Sequence, residues 1–114
     1  MALATVSLGA AITSAVANAG VKPEDSNANF LRGANVLAII QPTNGAFVGT
    51  AKIQGTNVDL DTVADGSATW TDLLVFTAPA SNSGSKVALV TAYRRMRLNC
   101  TAFTSGSVEA LIVA

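Results

Sequence analysis

Between breaks rich in glycine, proline and asparagine, apolar and polar side chains alternate with a period of two, and no stretch holds a helical period for long. In an extended strand successive side chains point to opposite faces, so this alternation describes segments with one face in a core and the other outside. At the N-terminus Ala4, Val6, Leu8, Ala10, Ile12 and Val16 share one parity, and Thr5, Ser7, Gly9 and Thr13 the other. A competing helix over residues 10–19 would gather Leu8, Ile12, Ala15 and Ala19 on one side. Thr and Val are weak helix formers, however, and Gly9 and Gly20 bracket the segment. Residues 1–20 are therefore read as an extended N-terminal strand or arm, kinked at Gly9, that could cross to a neighbouring subunit.

Residues 21–33 hold Pro23, Glu24, Asp25 and Ser26 and read as a loop with at most one helical turn. Residues 36–41 form a short β-branched run ending at Pro42-Thr43-Asn44-Gly45, a turn signal. With the alternating segment 47–54 it reads as a hairpin. A polar connection, 55–68, has a brief strand around Val58, Leu60 and Val63. Further strands fall at 70–76 and 86–94, with Val87, Leu89, Thr91 and Tyr93 on one side of the latter. After Arg95 the apolar parity switches to Met96, Leu98, Cys100 and Ala102, which suggests a bulge or bend at Arg94-Arg95. Residues 107–113 make the last strand. Seven or eight strands with turns every 8–12 residues predict one all-β domain over residues 1–114, a jelly-roll-like antiparallel β-sandwich. The expected core is Val6, Leu8, Ile39, Phe47, Ile53, Leu73, Val75, Leu89, Leu98 and Ile112.

Composition narrows the function. The 114 residues contain no His and one Cys, so no Ser-His-Asp or Cys-His arrangement, intrachain disulfide or His metal ligand can form. Seven basic and seven acidic residues balance, giving no cationic excess for nucleic acid. Charged residues are 12%, about half the usual share, which suits a surface covered by neighbours. The expectation is a protein that is not an enzyme and takes no cofactor. The first twenty residues end in the small-x-small pattern Ala17-Asn18-Ala19, but no Lys or Arg precedes Lys22 and polar residues break the apolar run. They read as a strand rather than a signal peptide, and no apolar stretch is long enough to span a membrane.

Asp59, Asp61 and Asp65-Gly66 place three carboxylates in one loop, as hard cations prefer. The spacing misses the helical calcium-loop pattern, with Trp70 where its last carboxylate would fall, and the loop reads as a polar turn. Cys100 alternates with Leu98 and Ala102 and reads as a buried thiol. Arg94, Arg95 and Arg97 form the basic cluster. On a strand, Arg95 and Arg97 share a face with Asn99, opposite Met96 and Leu98. Arginine at that density suits recognition of acidic groups on a protein partner, or a solvated face paired within the chain. Trp70 and Tyr93 complete the candidate interface. Exposed beside polar groups they would make a sugar-binding platform; buried, they would be core or intersubunit aromatics.

Four segments follow one another in order: Phe47-x-Gly49-x-Ala51-x-Ile53-Gln54-Gly55-Thr56, Ala68-Thr69-Trp70-Thr71-Asp72-Leu73, Tyr93-Arg94-Arg95-Met96-Arg97-Leu98-Asn99, and Thr104-Ser105-Gly106-Ser107-Val108. The series resembles small β-sandwich capsid decoration (cement) proteins of tailed bacteriophages, over roughly residues 46–114. One departure is that Ser67, Ala68 and Thr69 separate the Asp65-Gly66 turn from Trp70. The resemblance implies a virion structural protein without catalytic residues. It would sit on the outer capsid surface as a homotrimer, binding the major capsid protein and stabilising the shell. The alternative of another class is a carbohydrate-binding or tail- or fibre-associated module of a phage virion.

Overall fold

The computed structural model describes residues 4–43, 47–58, 62–78 and 84–114. Seven strands are seen: β1 (Thr5–Ser7), β2 (Asn35–Pro42), β3 (Val48–Thr56), β4 (Thr71–Ala78), β5 (Lys86–Thr91), β6 (Arg95–Ser105) and β7 (Val108–Val113). Among the described residues helix is confined to one turn, α1 (Pro23–Ser26), and two 3₁₀ turns at Ala28–Phe30 and Asp65–Ser67. Pro23 opens α1 with its φ already fixed, and Asn27 Oδ1 accepts from the Asn29 N–H at the next turn.

The strands form two antiparallel sheets, ordered β1-β7-β2-β5 and β4-β3-β6. Residues 12–21 cross between them. Ile12 bridges Val108 on β7, and then Ala17 bridges Asn99 and Val21 bridges Met96 on the outer edge of β6. With that segment counted as the second of eight strands, the sheets read 1-8-3-6 and 5-4-7-2. This is the double-sheet arrangement of a jelly roll. Among the described residues no helix is long and apolar enough to cross a membrane.

The inner faces bury Val6, Leu8, Val36, Ala38, Ile40, Phe47, Ala51, Ile53, Leu74, Phe76, Met96, Leu98, Cys100, Val108 and Ile112. Phe47 stacks on Phe76 at 6.1 Å between centroids and packs against Phe103. Each large side chain so buried contributes about 1.5–3 kcal/mol before entropy.

Several expectations are corrected. Residues 36–41 and 47–54 are not a hairpin: β2 pairs β5 and β7 in one sheet, while β3 pairs β4 and β6 in the other. The parity switch before Met96 takes the form of a bend at Arg94 rather than a bulge. At residues 92–94 the chain leaves one sheet for the other, so the strand changes partners and its inward phase restarts. Ile39 and Leu73 are only half-buried, and Val75 and Leu89 are exposed, because Ile40, Leu74, Phe76 and the small Ala88 take the inward phase. The N-terminal strand is shorter than expected. β1 ends at Ser7, Val16 is exposed, and within the chain residues 4–21 bond to β6 and β7. Val63 lies in a bend; Leu60 lies outside the described residues.

Candidate functional site

β6 delivers its side chains as its alternation requires, with Met96, Leu98 and Cys100 inward and Arg95, Arg97 and Asn99 outward. On the neighbouring strand Lys52 and Gln54 face the same way, Gln54 opposite Arg97 and Lys52 opposite Asn99. Asp72 joins them through an irregularity. Ile53 pairs Leu74 but Gln54 pairs Asp72, so Leu73 is an extra residue and the phase of β4 flips. Without that bulge Asp72 would point inward with Leu74.

Gln54, only 8% exposed, is the hub of the resulting network. Its Oε1 accepts from Arg97 Nε at 2.9 Å and Asn99 Nδ2 at 3.3 Å, while its Nε2 donates to Asp72 Oδ1 at 2.8 Å. Lys52 Nζ donates to Asp72 Oδ2 at 3.1 Å. The hydrogen bond from Gln54, helped by Lys52 and opposed by partial burial, holds the Asp72 carboxyl below the usual carboxylate value.

Trp70 lies just before β4, and the Arg97 guanidinium sits 4.1 Å from the centroid of its ring. The indole Nε1–H donates to the Asp65 carbonyl at 2.9 Å. Asp65 in turn clasps two elements: Oδ1 accepts from Arg95 Nη1 at 2.5 Å and Oδ2 from the Gly20 N–H at 2.7 Å. Burial alone would raise the Asp65 carboxyl. The Gly20 and Arg95 hydrogen bonds, with the charges of Arg95 and Arg97, outweigh it and hold the carboxyl below its usual value. Burial also lowers the Arg97 guanidinium pKa, opposed by the Asp65 charge, and an arginine stays protonated regardless. The lack of a side chain at Gly20 lets it approach this clasp, since a Cβ there would press on the stem of Arg95 and come 3.0 Å from the Trp70 ring, and Arg95 would have to shift.

Of the five residues singled out from sequence, Trp70, Arg95 and Arg97 come together. Tyr93 and Arg94 belong to the crossover. The Tyr93 ring lies over Gly55, where a Cβ would fall 2.5 Å from its Cγ, and the Arg94 N–H donates to Asn57 Oδ1 at 2.8 Å. Trp70 is therefore not an open platform, because Arg97 covers one face and Gly20 approaches its edge. Gln54, Lys52 and Asp72 were missed, although the outward parity of Lys52 and Gln54 beside a basic strand was the available signal. Asp59 and Asp61 lie outside the described residues, and Asp65 is taken up by Arg95 and Gly20. Among the described residues no three His, Cys, Asp or Glu side chains gather as a metal site.

The outer face of the other sheet is of a different kind. Leu37 lies opposite both Leu89 and Val113, and Ile39 opposite both Val87 and Leu111. These two aliphatic rows continue to Thr5 and Ser7 on β1. Leu89 is 69% and Val87 50% exposed. Polar pairs close the ends of the strip, Asn35 with Thr91 and Gln41 with Glu109, the latter bonded at 2.7 Å. Lys86 Nζ donates to the Val75 carbonyl at 2.7 Å, placing a charge where the free edges of β4 and β5 approach. No family model, curated protein or solved structure matches this chain.

Proposed function

We propose that the chain is a virion structural protein, a capsid decoration (cement) protein that docks on the outer surface of a shell of major capsid protein and stabilises it. The observation that carries this reading is the aliphatic strip on the outer face of the β1-β7-β2-β5 sheet, apolar at its centre and polar at its ends, as protein interfaces are. The jelly roll and the motif resemblance point the same way, the fold by analogy only. A face of about 20 by 15 Å, from strand rise and spacing, is roughly 300 Å². That is under half of the ~800 Å² per partner of a standard interface. One copy would hold weakly. Several copies joined as a homotrimer on a repeating shell would hold by avidity, and binding only the closed shell stabilises it by mass action.

The test is co-sedimentation of the purified chain with undecorated capsids, followed by heating. Decorated capsids should release DNA at a higher temperature, and Leu89→Lys should abolish both binding and the shift. Equal release temperatures with and without the protein would refute the reading. In that event glycan binding with Trp70→Ala as control becomes the next experiment.

A further inference from the structure

The cations around the polar face are not equivalent. Arg95 is committed to Asp65, Lys52 to Asp72, and Lys86 to a backbone carbonyl. Arg97 makes no ion pair within the described residues, and its one hydrogen bond uses Nε. Its Nη1 and Nη2 have no hydrogen-bond partner among the described residues. They are not sealed off either, because among the described residues the only buried side-chain nitrogen or oxygen without a partner is Arg95 Nε. The guanidinium is nevertheless fixed, stacked on Trp70 and tied by Gln54, which Asn99 and Asp72 hold in turn.

We infer that Arg97, braced on Trp70 and Gln54, is a receptor for the carboxylate of an acidic side chain on a partner protein, taken end-on by Nη1 and Nη2. The planar fork left open matches a planar carboxylate through two parallel N–H···O bonds. Fixing the side chain in advance removes most of the entropy cost of forming them. A stacked Trp and Arg is also the composition in which binding energy concentrates at interfaces. A single negative charge is favoured over phosphate or sulfate, because sites for those groups gather several arginines, and here the Asp65 and Asp72 carboxylates stand nearby. This site lies on the opposite sheet from the aliphatic strip and stands whether or not that strip meets a capsid.

Trp70 is the only tryptophan, so its fluorescence reports the stacked guanidinium directly. The full chain would be titrated with end-capped tetraglutamate and with tetraglutamine, sulfate and phosphate at matched ionic strength. A saturable change with tetraglutamate alone is expected, weakened at least about tenfold in Arg97→Lys, which keeps the charge but loses the fork, and abolished in Arg97→Gln. Circular dichroism would check that both variants fold. Independently of any variant, the Arg97 Nη–H resonances of the wild-type chain should shift along the same binding curve. No saturable response, an equal response to tetraglutamine, a response to sulfate or phosphate as strong, unmoved Nη–H resonances, or binding retained in Arg97→Gln would each overturn the inference.

Discussion

Replacing Asp65 with Asn should destabilise the protein by about 2–3 kcal/mol at pH 7. The carboxylate accepts one hydrogen bond from a guanidinium and one from a backbone N–H, and hydrogen bonds to charged groups contribute about 1.5–3 kcal/mol each. Asn keeps one acceptor oxygen, so one of the two survives in weakened form. The orphaned partner adds to the loss: the Arg95 side chain is 15% exposed and its Nε already lacks a partner among the described residues. Breaking a fully buried pair costs about 3–5 kcal/mol, and the 26% exposure of Asp65 lets water return and reduces that figure. With an unfolding entropy of about 2.1 cal/mol/K per residue, 2–3 kcal/mol corresponds to a drop in Tm of roughly 8–13 °C. Calorimetry of the wild type, Asp65→Asn, Arg95→Met and the double variant would measure it. The double variant leaves no stranded charge, so its loss should fall short of the sum of the singles by at least about 1 kcal/mol. The Asp65 carboxyl is held below its usual value in the native state, so its contribution is complete above the unfolded pKa and is lost as pH falls through the lower native value. The gap between wild type and Asp65→Asn should therefore close in acid. A loss under about 0.5 kcal/mol, strict additivity, or a gap that persists in acid would refute the clasp.

Leu89→Lys and Val87→Lys should leave stability within about 0.5 kcal/mol, since both side chains already face solvent, while sedimentation should show reduced self-association or shell binding. Gly55→Ala should cost about 1–3 kcal/mol in urea unfolding, because the new methyl meets Tyr93 at its Cβ and Cγ, so rotating the ring alone does not clear the Cβ contact. Cys100 should react with a thiol reagent only at the rate of unfolding. Burial raises its pKa, and its Sγ–H donates to the Ala102 carbonyl at 3.2 Å; labelling of the native protein at the rate of a free thiol would contradict this.

Where polarity alternates cleanly, the fold was legible. In β6 the charged parity had to face out, and Arg95, Arg97 and Asn99 do so. In β2 and β5 both parities are apolar, and size misleads: small Ala38 and Ala88 fit between the sheets while larger Leu37, Val87 and Leu89 stand outside. A rule that buries the largest residues chooses the wrong face when the outer face is itself apolar. In β4 the run Leu73-Leu74-Val75-Phe76 carries no phase of its own; the bulge opposite Gln54 sets it, and that depends on a pairing remote in sequence. The same remoteness hid the polar network. Lys52, Gln54, Asp72 and Arg97 meet only because β3 lies between β4 and β6, and two strands with a turn between them would more simply have paired as β2 with β3.

The place of β7 between β1 and β2 has a consequence for how the chain is made. Synthesis runs from the N-terminus, so β1 and β2 leave the ribosome with the strand that must separate them still unwritten. Ala4 exchanges both backbone hydrogen bonds with Ala114, and Thr5 faces Val113. The first sheet can close only after β7 emerges. Until then its inner and outer aliphatic rows are open together, and loop closure between such distant partners is slow. The interval before β7 emerges is thus when a nascent copy is most exposed to pairing with another on the same message, and a chaperone that shields β2 would do most good there.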